Sequence, residues 1–186
     1  MAQNIITEEK VIEEVKKAVA ETLSGDAGAI QPDNSLIKDL GAESLDFLDI
    51  NYRIEQAFGI KMARHFILEH IEEMFGEGTA IDENGQLTEK AVQFLKARYG
   101  EAFPGFRANM DMDEVPSLFT IRTMAGGVMD ILNTLPEKCP KCGGAWKSDD
   151  GVKVLCGSCS EPAAYTNGDD LIKEWLTRIQ EEKKIC

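Results

Sequence analysis

Long apolar runs, basic charge and histidine are all scarce in this chain of 186 residues. No apolar stretch approaches the roughly 20 residues that a membrane-spanning helix needs, so insertion into a bilayer is not expected. The N-terminal MAQNIITEEKVIEEVKK is charged and amphipathic and lacks the apolar centre of a secretory signal, which points to a cytoplasmic protein. Only 20 Lys and Arg stand against 33 Asp and Glu, a net charge of −13. A phosphate backbone attracts the opposite sign, so nucleic acid is not an expected partner. An acidic surface instead steers encounters with basic protein patches, although it also serves simply to keep a chain soluble. Hydrophobic residues still make up 43% of the chain, enough for a packed core and against wholesale disorder.

What the sequence has in abundance is helical periodicity. Thr7 reads as an N-cap, and Val11, Ile12, Val15, Ala18, Val19 and Leu23 recur at helical spacing before Ser24-Gly25 ends the run. Asp26 to Glu43 holds glycines, Pro32, Asp33 and Asn34 and reads as a long ordered loop, pinned to a core by Leu36, Ile37 and Leu40. A second helix runs from Ser44 to about Phe58, with Gly59 at its end. It is apolar around much of its circumference, which suits packing on several neighbours, with exposure of part of it to a partner as the less favoured alternative. Further helices are expected over Met62 to Phe75, from Thr88 to Tyr99, and from near Thr120 to about Leu132, with Glu101 to Pro116 irregular. Gly126-Gly127 weakens the helix near Thr120, since each glycine costs ~1 kcal/mol relative to alanine. Pro136 marks a boundary, and a last amphipathic helix spans roughly Asp169 to Lys183.

The densest chemical signal is Asp39-Leu40-Gly41-Ala42-Glu43-Ser44-Leu45-Asp46. A serine that opens a helix presents its hydroxyl outside the backbone hydrogen-bond ladder, at the positive end of the helix dipole, where a phosphodiester is favoured. Such a serine is also a common N-cap, the plainer alternative. A hydrolase nucleophile is a poor fit, because Ala42 and Asp46 replace the glycines of G-x-S-x-G and both histidines lie in another segment. The stretch resembles the acyl carrier protein family, whose modified serine sits in D-L-G-x-D-S-L-[DE]. The resemblance extends to Pro32-Asp33-Asn34-Ser35-Leu36 ahead of the serine, to Phe58-Gly59-Ile60, and to Phe119-Thr120-Ile121-Arg122-Thr123-Met124, which is similar to the opening of the family's last helix. It implies a small helical bundle, a 4'-phosphopantetheine arm on Ser44, and a carrier rather than an enzyme. Asp39, Glu43, Asp46 and Asp49 would then mark the serine for a phosphopantetheinyl transferase and for acyl-processing enzymes with basic docking patches. Glu43 departs from the family's usual Asp, and Asn51 stands where carriers commonly place an apolar residue. The residues between helix two and Phe119 exceed a standard carrier. They read largely as a helical insertion over about 62–115, or else Thr88–Tyr99 is itself the last carrier helix.

Two other patterns concern metals. Asp82-Glu83-Asn84-Gly85 looks like the middle of a calcium loop, but with Gly85 in sixth place the first and twelfth positions are Ala80 and Ala91, which carry no ligand oxygen. A turn leading into a capped helix is expected instead. His65 and His70, five apart on an expected helix, are poorly placed to share an ion and read as ordinary residues. By contrast, Cys139-Pro140-Lys141-Cys142 and Cys156-Gly157-Ser158-Cys159 resemble the two knuckles of a zinc ribbon. Four thiolates match the closed tetrahedral shell of structural zinc, with iron, disulfides or redox chemistry as alternatives. Between the knuckles, Trp146, Val152, Val154 and Leu155 have strand character, while Cys186 is left as a free thiol.

The expected fold is therefore mainly α. An acyl-carrier-like bundle with its insertion would occupy residues 1–135, and the zinc ribbon with the C-terminal helix residues 136–186. The expected function is to carry acyl intermediates as thioesters in a specialised fatty-acid or lipid pathway. Its rivals are a zinc-ribbon interaction module with an unmodified carrier-like domain, and a nucleic-acid-binding ribbon.

Overall fold

A computed structural model describes residues 4–100 and 105–186. It is mainly helical. In chain order the elements are α1 (Glu8–Thr22), α2 (Ser44–Phe58), α3 (Ile67–Phe75), α4 (Glu89–Tyr99), a 3-10 helix (Met112–Leu118), α5 (Ile121–Leu132), β1 (Trp146–Lys147), β2 (Leu155–Cys156) and α6 (Gly168–Lys183). Residues 101–104 of the stretch expected to be irregular lie outside the described residues, and its later part forms the 3-10 helix around Pro116. No helix among the described residues is long and apolar enough to cross a membrane.

The chain divides into two compact units, residues 1–62 with 120–167, and residues 63–119 with 168–186. In the first unit α1 packs against both α2 and α5. Thr7 caps α1 by accepting the Lys10 N–H at 3.3 Å. Val11, Val15 and Val19 of α1, Ile50, Ile54 and Phe58 of α2, and Ile121, Ala125, Val128 and Leu132 of α5 are buried. Each large side chain so buried stabilises the fold by roughly 1.5–3 kcal/mol. The loop before α2 is tied to the start of α5: Ile121 N–H donates to Asn34 O at 3.2 Å and Arg122 N–H to Pro32 O at 2.8 Å. The Arg122 guanidinium also pairs with Asp33 through bonds of 2.7 and 3.1 Å. Of the two segments considered for the last carrier helix, α5 is the one packed on α1, whereas α4 packs with α6 in the second unit.

The second unit centres on an apolar cluster built from α3, α4, the 3-10 segment and α6, with Ile71, Phe94, Leu95, Met110, Val115 and Leu176 in its interior. Phe75 stacks on Phe94 with ring centroids 5.3 Å apart. The turn ahead of α4 is organised by Asp82, whose Oδ1 accepts the N–H groups of Asn84 at 2.8 Å and Gln86 at 2.9 Å. Thr88 then caps α4. Helix α3 begins five residues later than its apolar pattern from Met62. The N–H groups of Arg64 and His65 donate to the Asp169 carboxylate, which holds this backbone out of helical conformation. These units do not follow the sequence boundary at 135/136. Residues 63–119 cover most of the stretch read as an insertion, but α6 belongs with α3 and α4, and the cysteine segment belongs with α1, α2 and α5.

Candidate functional site

Ser44 is the first residue of α2 and is exposed. It is not the cap. That position falls to Glu43, whose N–H donates to Asp46 Oδ2 at 2.8 Å. Among the described residues no hydrogen bond holds the Ser44 hydroxyl. The approach to it turns at Gly41, whose φ of +71° lies in the left-handed region that favours glycine. Ala42 then drops into the core at 4% exposure, its N–H bonded to Leu36 O at 2.9 Å, so the chain re-emerges at Glu43 and Ser44. The first-turn N–H groups of α2 and the dipole favour an anion at this end of the helix.

The four carboxylates around the serine have different duties. Asp39 accepts the Ser35 N–H at 2.7 Å and shapes the loop. Asp46 closes the capping interaction. Asp49 accepts from Arg53 Nε and from the Thr22 hydroxyl, each at 2.8 Å, and these two donors, Arg53 foremost, hold its carboxyl below the usual range. Glu43 is exposed beside the serine. Sequence reasoning favoured burial over exposure to a partner for the apolar part of this surface. Leu45, Leu48 and Tyr52 are 78%, 59% and 57% exposed, and their spacing places them along one face of α2 from Ser44 onward. Periodicity alone assigned them to packing, because an apolar stripe that meets a partner looks like one that meets a core.

Some residues downstream, the four cysteines converge. Cys142 Sγ lies 3.4 Å from Cys156 Sγ and 3.3 Å from Cys159 Sγ, and Cys139 Sγ lies 3.8 Å from Cys159 Sγ. All four sulfurs are within 4.8 Å of one another. Zn–S bonds of about 2.3 Å in a tetrahedron put sulfurs roughly 3.8 Å apart, so the cluster fits such an ion. Both knuckles share one backbone design. Gly143 N–H donates to Cys139 O at 2.8 Å, and Ser160 N–H to Cys156 O at 2.9 Å. Their φ values are +71° and +58°. Glycine marked the first turn in the sequence, while serine concealed the second. A Cβ at Gly144 would come within 2.6 Å of Ser158 Oγ, so the knuckles meet where only glycine fits. β1 and β2 pair antiparallel between them, Trp146 opposite Cys156. The N–H groups of Cys159 and Ser158 draw the Cys156 thiol down to about 6. At Cys142 the Gly144 N–H lowers the thiol, but the neighbouring thiols of Cys159 and Cys156 outweigh it and push it up to about 12. In this segment Lys141 pairs with Glu161 and Lys147 with Asp149.

Residues 13–72 match the family model described as phosphopantetheine attachment site. The acyl carrier protein AcpXL of Brucella melitensis biotype 1 and that of Brucella suis biovar 1 are each 48% identical to this chain over 50 residues, 27% of this chain and 54% of the relative. Acyl carrier protein AcpXL of Mesorhizobium japonicum is 46% identical over a segment of the same length and coverage. The chain thus spans about half the length of the curated relatives it matches. No solved structure matches it. Residues 13–72, the segment that includes Ser44, are therefore similar to phosphopantetheine attachment sites and to acyl carrier proteins.

Proposed function

We propose that this protein is an acyl carrier whose phosphopantetheine arm is attached to Ser44, and that it presents acyl groups to enzymes of a specialised fatty-acid or lipid pathway. The observation that carries the reading is the state of Ser44, exposed at the head of α2 with capping assigned to its neighbours. A serine needed only for stability would hold a helix N–H; this one holds none. Attachment forms a bond from Ser44 Oγ to phosphorus, breaks the pyrophosphate bond of coenzyme A with release of adenosine 3',5'-bisphosphate, and sends the hydroxyl proton to the transferase. The arm, once attached, supplies a terminal thiol for thioester formation. The chain's own residues position and advertise the site: the α2 N-terminus favours the phosphodiester, Glu43 and Asp39 offer charge to a basic patch, and Leu45, Leu48 and Tyr52 offer apolar area. The protein acts in this scheme as a carrier and not as a catalyst.

For the four cysteines we infer structural zinc. The knuckle geometry supports it, and a closed set of four sulfurs leaves no position for substrate. Incubation with a phosphopantetheinyl transferase and coenzyme A is expected to add the mass of one phosphopantetheine to the intact chain. An adduct that persists in Ser44→Ala, or no adduct on the wild type, refutes the reading.

A further inference from the structure

We propose that His65, His70 and Asp169 form a second metal site, separate from the cysteines, for a first-row transition dication of the zinc type. His70 lies on α3 and is only 1% exposed. Its Nε2 is 2.9 Å from Asp169 Oδ1 at the start of α6, 99 residues on in the chain. His65 precedes α3 rather than lying on it, and its Nδ1 is 3.6 Å from the same oxygen. One ligand atom from each of the three residues falls within 4.8 Å of the others. Bonds of about 2.0–2.2 Å to nitrogen and oxygen place tetrahedral donors roughly 3.4 Å apart, a spacing the two distances bracket.

The competing account is a plain clasp, in which Asp169 accepts the backbone N–H groups of Arg64 and His65 together with the His70 ring. It leaves one thing without a cause: the fully buried His70 Nδ1 has no hydrogen-bond partner among the described residues, a costly state for a buried polar atom. The His65 ring, whose side chain is 62% exposed, is also turned toward the shared carboxylate. A cation bound at Nε2 gives the His70 proton to Nδ1. That atom faces Glu73 Oε2 at 3.7 Å, the outer carboxylate that commonly orients a ligating histidine. Lys173 in turn holds Glu73 at 2.9 Å. The backbone donors from Arg64 and His65 fix the Asp169 carboxylate in the same manner. Two imidazoles and a carboxylate suit zinc, nickel, copper or cobalt better than calcium or magnesium, and three ligands with His65 on the exposed side leave room for a water. Spacing in the sequence hid this site because the third ligand comes from α6 and because His65 is not helical.

The test uses the full chain, stripped of metal and dialysed against zinc alone at micromolar free concentration. Wild type is expected to retain about one zinc per chain more than His65→Ala and more than Asp169→Asn. His65 is exposed, so its replacement should leave far-UV circular dichroism unchanged. Cys142→Ser should still lose about one zinc when His65→Ala is added. That comparison separates this site from the cysteine cluster whatever the cysteines bind. Equal zinc content in wild type and His65→Ala, or a difference only at millimolar zinc, overturns the proposal.

Discussion

Replacing Gly144 by alanine tests the ribbon geometry most directly. The added Cβ would stand 2.6 Å from Ser158 Oγ, 2.9 Å from Ser158 Cβ and 3.0 Å from Cys156 Sγ. A hydroxyl can rotate away, but the Ser158 Cβ and the Cys156 sulfur cannot move without shifting the second knuckle. Gly144 O also accepts the Cys139 N–H at 2.9 Å, so displacement of residue 144 pulls on the first knuckle as well. Overpacking of this kind costs about 1–3 kcal/mol. Metal binding in small ribbons is coupled to folding, so the strain reads out as lost zinc affinity, about 5- to 150-fold. Competition with a chromogenic chelator measures it. Ser158→Gly removes two of the three close contacts and should restore part of the affinity in Gly144→Ala, although the Cys156 contact remains. Gly143→Ala should behave differently. Its Cβ meets nothing within 4 Å, its φ is +71°, and a loss of about 1–2 kcal/mol there should be indifferent to Ser158→Gly. Wild-type zinc competition in Gly144→Ala, or a loss that Ser158→Gly leaves untouched, refutes the reasoning.

Asp46→Ala should lower stability in urea by about 1 kcal/mol, because the Glu43 N–H loses its acceptor, while Ser44→Ala should change it by less than about 0.5 kcal/mol. Equal losses in the two would return the capping role to the serine. Leu48→Glu should leave the unfolding midpoint unchanged, since Leu48 is 59% exposed, yet lower kcat/KM for transferase or acyl-loading enzymes about 10-fold or more, the worth of one buried leucine. Unchanged kinetics would remove the α2 stripe from the docking surface. Gly126→Ala should stabilise the chain by about 0.5–1 kcal/mol on urea unfolding, because residue 126 is helical and a Cβ there meets nothing within 4 Å. A loss instead would show that something closer packs on α5.

Periodicity located α1, α2, α4, α5 and α6 to within a residue or two, because their caps are local: Thr7, Thr88 and Thr120 each accept a first-turn N–H, and Gly59 turns left-handed behind α2. The late start of α3 was not legible, because the acceptor that holds Arg64 and His65 extended is Asp169, far along the chain. For the same reason the packing of α6 was not legible: its apolar face matches a helix over a ribbon as well as one over α3 and α4. The place of Ser44 at the head of α2 and the pairing of the four cysteines in close turns were legible, since each depends on a few neighbouring residue types.

By itself, then, the sequence determined where the helices lie, which serine opens α2, and which four thiols stand in paired turns. Each of these is settled by interactions within a few residues. Only the tertiary structure decided that Ser44 leaves capping to Glu43 and Asp46, that Leu45, Leu48 and Tyr52 face solvent, that α5 rather than α4 packs on α1, and that two histidines share an aspartate. Burial and ligand convergence depend on which distant segments fold back onto a residue, and no local pattern carries that information.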